Sequence, residues 1–187
     1  MVTWEVLEDL CHRCGQCDLC RTRHNVVVGD GSKTARIMLV GEGPGEQEDL
    51  QGRAFVGPAG QLLDKMLACI GLDRQQVYIA NIVKCRPPHN RDPLPEEQEA
   101  CIPLLRAQLR LVQPQIIVCL GRIAAQRIIR PDFRITREHG TWEERVGYWL
   151  TATYHPSALL RDPSKKRDAY EDLKSIRAKL DSLPERE

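Results

Sequence analysis

The amino-acid sequence predicts an α/β sandwich around a mostly parallel sheet. Three observations predict it. Strand-like apolar runs alternate with helix-spaced segments from about residue 35 to the end. The glycine-rich and polar segments follow those runs, at the carboxyl ends where open parallel sheets hold their ligands. A chain of 187 residues with 42% hydrophobic content suits one compact domain, taken here as residues 1–187.

Each element has its own signal. Ala35 to Val40 is an apolar run closed by Gly41 and predicts a buried strand. Gly60 to Ile70 has helical spacing at Leu62, Leu63, Met66, Leu67 and Ile70, with Gly71 as its stop. Val77 to Val83 predicts a second strand. Pro95 to Leu111 predicts a helix with proline at its start. Gln115 to Leu120 is a third strand ended by Gly121, and Arg122 to Ile129 a short helix. Gly147 to Thr153, rich in aromatic and β-branched residues, predicts a fourth strand. A short turn or helix follows Pro156, then a charged helix over Lys165 to Leu183.

Lys plus Arg number 27 against 26 for Asp plus Glu, so a histone-like, purely electrostatic binder is excluded. A nucleic-acid partner is not, because binding depends on where charges cluster. The opening MVTWEVLEDLCHRC is acidic and lacks the apolar centre of a secretory signal. The longest apolar runs, such as Ile116 to Leu120, are too short to span a bilayer. The expectation is a cytoplasmic protein with no membrane contact. Thiols stay reduced there, so eight cysteines point to a metal or cluster rather than disulfides. Cys69, on an apolar helix face, and Cys119, in a strand, read as small core residues. Cys11, Cys14, Cys17, Cys20, Cys85 and Cys101 fall at loops or helix edges. A C-x-x-C pair with two distant cysteines suits zinc and an iron–sulfur cluster equally.

Three motifs converge on the carboxyl edge of the sheet. GEGPGEQED, Gly41 to Asp49, permits close backbone approach to a ligand, and its N–H groups can cradle a phosphate or a base carbonyl. Its spacing fits neither a P-loop nor a dinucleotide fingerprint. Its carboxylates read either as a solvated acidic loop or as groups that position water. QGRAFVGPAGQLL places Phe55, one of two phenylalanines, in a loop, as a core plug or as a stacking platform for a base. NIVKCRPPHNRDP carries Asn81 off the second strand; its amide has a donor and an acceptor in one plane, which can match a pyrimidine edge or cap the strand. YHPSALLR sets His155 at a strand end, where acid–base or electrostatic work is expected. Leu159 and Leu160 are candidates for an apolar wedge, and Arg161, Lys165, Lys166 and Arg167 form a basic run fit for phosphates.

Taken together, these motifs resemble the family 4 uracil-DNA glycosylases. The resemblance covers Cys14 to Arg161 and rests on GEGPGEQED, GRAFVGPAGQLL, NIVKCRPPHNRDP, the C-x-x-C before RTRHNVVVGDG, and HPSALLR. It implies a three-layer α/β/α sandwich with a four-stranded parallel sheet, and release of uracil from DNA to leave an abasic site. It implies a [4Fe–4S] cluster on Cys14, Cys17, Cys85 and Cys101, held by an N-terminal cluster-binding segment, residues 11–29. Arg23 and Gly29 set the register of the first pair. Cys11 and Cys20 depart from the pattern, and Cys17 with Cys20 has the same local spacing.

By the same resemblance Phe55 is the platform for the flipped uracil, Asn81 reads its polar edge, and the Gly43 backbone and His155 serve its oxygens. Glu42 orients water, and Glu48 helps close the pocket against a 5-methyl group. Leu159, Leu160 and Arg161 contact the DNA. The basic insertion of relatives that trap DNA covalently is missing after the first motif, so turnover is expected. The expected partner is uracil-containing DNA, and the expected state a monomer. The competing readings are a glycosylase of altered base preference, a non-catalytic DNA-binding accessory of the same fold, and a zinc-binding nucleic-acid module.

Overall fold

The computed structural model describes residues 2–186. The elements in chain order are α1 (Trp4–His12), β1 (Asp30–Gly31), β2 (Ile37–Gly41), α2 (Glu46–Gln51), α3 (Pro58–Cys69), β3 (Val77–Asn81), α4 (Pro95–Val112), β4 (Ile116–Leu120), α5 (Arg122–Ile128), α6 (Ile135–Glu138), β5 (Glu143–Arg145), β6 (Tyr148–Thr153), α7 (Pro156–Arg161) and α8 (Lys166–Ser182). The sheet order is β1-β3-β2-β4-β6-β5.

Four strands, β3, β2, β4 and β6, pair in parallel. The four-stranded parallel sheet implied by the sequence is therefore the centre of a wider, mixed sheet. β1 and β5 add short antiparallel edges. All five residues of β2, β3 and β4 are buried, as in strands covered on both faces. Two apolar clusters lie on the two sides. One gathers Met38, Val40, Tyr78, Ala80 and Cys119 with Leu7 of α1 and Leu105 of α4. The other gathers Leu39, Ile79, Val118 and Leu120 with Leu63 and Leu67 of α3 and Leu173 and Ile176 of α8.

The helices follow their local chemistry. Thr3 caps α1 through its side chain, accepting from the Val6 N–H at 3.4 Å. Proline opens α3, α4 and α7, where its missing N–H costs nothing. Two sequence expectations are corrected here. The acidic stretch after Gly45 is not a loop but the helix α2, with Gly52 in the left-handed conformation at its end. Cys69 is not a core residue: it is exposed at the end of α3, whose buried face runs through Gly60, Leu63, Met66 and Leu67. Cys119 is buried, as expected.

Candidate functional site: a cleft at the sheet edge beside a cysteine-lined cavity

β2 and β3 run in register, so Gly41 and Asn81 face one another at the carboxyl edge. A Cβ on Gly41 would lie 2.5 Å from Asn81 Oδ1 and 2.8 Å from the Phe55 ring. Only glycine lets the amide and the ring approach this closely. After β2, Gly41 and Glu42 still accept backbone bonds from Ile82 and Val83, at 2.9 and 3.1 Å. The loop is thus stitched to the strand that carries Asn81. The resulting cleft has a volume of about 820 Å³. Glu42, Gly43, Glu48, Phe55, Asn81 and His155 all line it, so the residues read from three separate motifs meet at one place.

Asn81 is buried, and its Oδ1 has no hydrogen-bond partner among the described residues. A buried acceptor left unpaired costs stability, on the order of 1–3 kcal/mol. An Asn that merely capped the strand end would have spent that oxygen on a backbone N–H.

Phe55 sits at φ 52°, a left-handed conformation that non-glycine residues rarely adopt. Several contacts hold it there. Glu48 Oε1 accepts from the N–H groups of Val56 and Gly57 at 3.0 and 2.9 Å. The Arg74 guanidinium donates to the carbonyls of Ala54 and Phe55. Gly60 in α3 packs directly under the Phe55 carbonyl, with no room for a Cβ. A strained residue over-determined in this way marks a site that needs its geometry fixed.

His155 precedes α7. Its Nδ1 accepts from the Ser157 N–H at 3.1 Å and lies 2.8 Å from the Ser157 hydroxyl. The backbone N–H can only donate, so Nδ1 carries the lone pair and the ring proton resides on Nε2. Burial, aided by the Arg161 charge, pushes the imidazole down to about 4. The ring is neutral at physiological pH and stacks on Phe55 at 5.5 Å between centroids. Glu42 moves the other way. Burial, then the Asp92 carboxylate, raises it to about 7 against the opposing pull of Arg122 and Arg161.

Leu160, Arg161 and Lys165 form part of the cleft rim. Leu160 is 45% exposed, but Leu159 is 1% exposed and belongs to the core beside α3 and α8. Leu159 therefore cannot serve in a wedge; α7 turns it inward while its neighbour faces out. Arg91, Asp92 and Arg122 also line the cleft and were not singled out in the sequence. Arg122 was findable: it follows β4 and Gly121, at the same sheet edge as the other motifs.

Behind β3 lies a second cavity. Cys11, Cys14, Cys17, Cys20, Cys85 and Cys101 line it, with Arg23 and Lys84. Cys11 projects from α1 and Cys14 follows that helix. Cys17 caps a helical turn over Asp18–Arg21, Cys85 follows β3, and Cys101 lies on α4. Two sulfurs already accept N–H bonds at 3.3 Å: Cys85 from Arg23 and Cys101 from the Lys84 backbone. Burial raises Cys17 and Cys101, and pushes Cys11 and Cys85 up to about 11. These thiols hold their protons until something cationic displaces them. None of the eight cysteines is in a disulfide.

Among the described residues, no three His, Cys, Asp or Glu side chains converge as ligands of one metal ion. Six cysteines around one cavity form a donor set that fits a thiolate-held metal group, an iron–sulfur cluster among them.

The fold and these two sites define an α/β protein with a preorganised planar-ligand cleft at the sheet edge and a thiol cavity behind it. Residues 28–174 match the uracil DNA glycosylase superfamily. The chain is 45% identical to the type-4 uracil-DNA glycosylase of Archaeoglobus fulgidus, over 92% of each chain. It is 43% identical to the type-4 uracil-DNA glycosylase of Thermotoga maritima, over 93% of each. With the type-5 uracil-DNA glycosylase of Pyrobaculum aerophilum it shares 35% identity, over 69% of this chain and 64% of that one. The chain belongs to the uracil DNA glycosylase superfamily and, within it, to the type-4 branch.

Proposed function

We propose that this chain is a DNA-repair glycosylase that hydrolyses the N-glycosidic bond of deoxyuridine in DNA, releasing uracil and leaving an abasic site. The observation that carries the reading is the buried, unpaired Asn81 Oδ1 beside the Phe55 ring and the neutral His155. That constellation supplies one acceptor for a pyrimidine N3–H, one aromatic face, and one donor for a carbonyl oxygen. Membership of the type-4 branch supports it.

A base inside a duplex is out of reach, so the uracil is flipped into the cleft at a cost of a few kcal/mol. Exposed Leu160 fills the gap it leaves, and Arg161 meets the phosphates. The C1′–N1 bond then breaks with its electron pair passing to uracil N1. The Asn81 amide, the Gly43 backbone and His155 Nε2–H stabilise the resulting anion without reorganising. Glu42, as carboxylate, accepts a proton from the water that attacks C1′. Glu48 forms the wall that meets a 5-methyl group, and it holds the Phe55 loop. Cys14, Cys17, Cys85 and Cys101 are assigned to a [4Fe–4S] cluster, with residues 11–29 as its N-terminal clamp. The cluster supplies cross-linking of that segment to β3 and α4.

Residues 1–187 are taken as one catalytic domain, acting as a monomer in the cytoplasm. No helix among the described residues is long and apolar enough to cross a membrane. The test is a uracil-containing oligonucleotide incubated with the protein and then treated with alkali. Free uracil with strand cleavage only after alkali is expected. Nicking without alkali, or no uracil from iron-loaded protein, would overturn the reading.

A further inference from the structure

Lys84 is among the largest fully buried side chains of the molecule, at 1% exposure. No carboxylate among the described residues pairs with it. Its titratable neighbours are the cavity thiols of Cys101, Cys11 and Cys85. Its three polar groups are all committed. The backbone N–H donates to Cys101 Sγ at 3.3 Å, the backbone carbonyl accepts from Val27 at 2.8 Å, and Nζ donates to the Asn81 carbonyl at 2.7 Å. A buried amine is costly unless something opposite repays its desolvation. A plain strand cap would be met by a serine or a backbone N–H.

We infer that Lys84 is a positioning residue: from within the cysteine cavity, beside the cysteines assigned to the cluster, its Nζ holds the backbone of the base-reading Asn81. The inference rests on the cluster and glycosylase readings above. One strand end then serves two sites. Residues 81 to 85 begin in the cleft and end in the cavity, and Lys84 closes the turn between them. The N-terminal segment joins the same knot, because Val27 binds the Lys84 carbonyl and Arg23 binds Cys85. The Nζ bond holds the Asn81 carbonyl from the cavity side. That fixes where the amide of Asn81 stands in the cleft.

Lys84→Met removes the charge at similar length. Lys84→Arg keeps the charge, but its planar head cannot make the same single contact. Wild type and both variants are prepared without oxygen. Iron and sulfide content, cluster reduction potential, and kcat and KM for uracil release are then measured. Wild type should carry iron and sulfide; if it does not, the cluster reading fails whatever the variants do. In iron-loaded Lys84→Met, loss of a nearby positive charge should shift the potential to more negative values. Its kcat should fall about tenfold to a hundredfold, the size expected for a charge-assisted hydrogen bond, with KM changing far less. Lys84→Arg should keep a potential near wild type while losing kcat, and it carries the test if the methionine variant does not fold. Iron-loaded variants with wild-type potential and wild-type kcat would overturn the inference and leave the cluster standing.

Discussion

The cleft and the cysteine cavity share a strand end but are built on opposite principles. In the cleft the protein's own hydrogen bonds fix the geometry, and Asn81 Oδ1 is left as a buried acceptor open to a ligand. His155 is locked by Ser157, and the Phe55 loop by Glu48 and Arg74. Such a site pays for its geometry at folding and binds without rearrangement. The cavity is incomplete by design. Burial raises Cys11, Cys17, Cys85 and Cys101, and N–H donors already meet the Cys85 and Cys101 sulfurs. Its binding free energy is therefore folding free energy. The difference teaches that mutations in the two places should separate: cavity variants should fail in stability and colour, cleft variants in rate.

The largest effect belongs to the cavity. Cys85→Ala or Cys101→Ala should abolish the bound iron, about four atoms per chain for a [4Fe–4S] core, together with its brown colour and much of the thermal stability. Iron analysis and a melting curve check this. Cys20→Ala should spare the iron. Cys11→Ala should spare it too, yet cost about 1 kcal/mol, because Cys11 is fully buried between α1 and the sheet. Iron lost from the Cys20 variant but kept without Cys14 would reassign the first ligand pair.

Next comes the base edge. Asn81→Asp should lower uracil excision by about tenfold to a hundredfold, since a base-edge hydrogen bond is worth roughly 1–3 kcal/mol. It should also weaken rejection of cytosine, while iron content and melting temperature stay put. Full activity on uracil would mean that Asn81 only terminates β3. Glu48→Ala should be milder. It frees two backbone donors, loosens Phe55 and opens the wall at the base's 5-position, but removes no hydrogen bond to the base. A fall of about tenfold in kcat is expected, in line with about 1 kcal/mol per lost hydrogen bond. Unchanged kinetics would detach Glu48 from the Phe55 loop.

What the sequence disclosed follows the same divide. The four parallel strands were legible because strands buried on both faces are continuous apolar runs, and their ends matched to within about two residues. β1 and β5 were not: Asp30–Gly31 and Glu143–Arg145 are short and polar, and pairing with a neighbour alone makes them strands. The helix α2 was hidden by its four acidic and amide residues before Leu50. The convergence of Gly43, Asn81 and His155 was legible because all three lie at or just past strand ends. The inward turn of Leu159, the exposure of Cys69 and the two bonds of Glu48 were not, since each depends on which way a helix faces or on a contact across the fold. Lys84 read as one more basic residue because its burial is a tertiary fact.

The smallest and most discriminating prediction concerns pH. Glu42 is raised to about 7 and His155 lowered to about 4, so the two groups should ionise far apart. If the Glu42 carboxylate accepts the proton from water, kcat should climb about tenfold per pH unit below 7 and level off above it. No second inflection from His155 should appear between pH 5 and 8, because its imidazole is already neutral there. Glu42→Gln should remove the slope and leave a low, flat rate. Stability should run in the opposite sense. A carboxyl group whose folded value lies above its ordinary 4.5 binds a proton in the folded state that the unfolded chain has released. Its contribution to stability is therefore lost as pH rises from about 4.5 through 7. Glu42→Gln, which needs no charge in the cleft, should melt at a higher temperature than wild type at pH 8 and at nearly the same temperature at pH 4. A wild-type rate profile retained in Glu42→Gln would place the proton acceptor on another group. A rate that loses its slope without the gain at pH 8 would keep Glu42 as the acceptor but show that the cleft does not bury its charge.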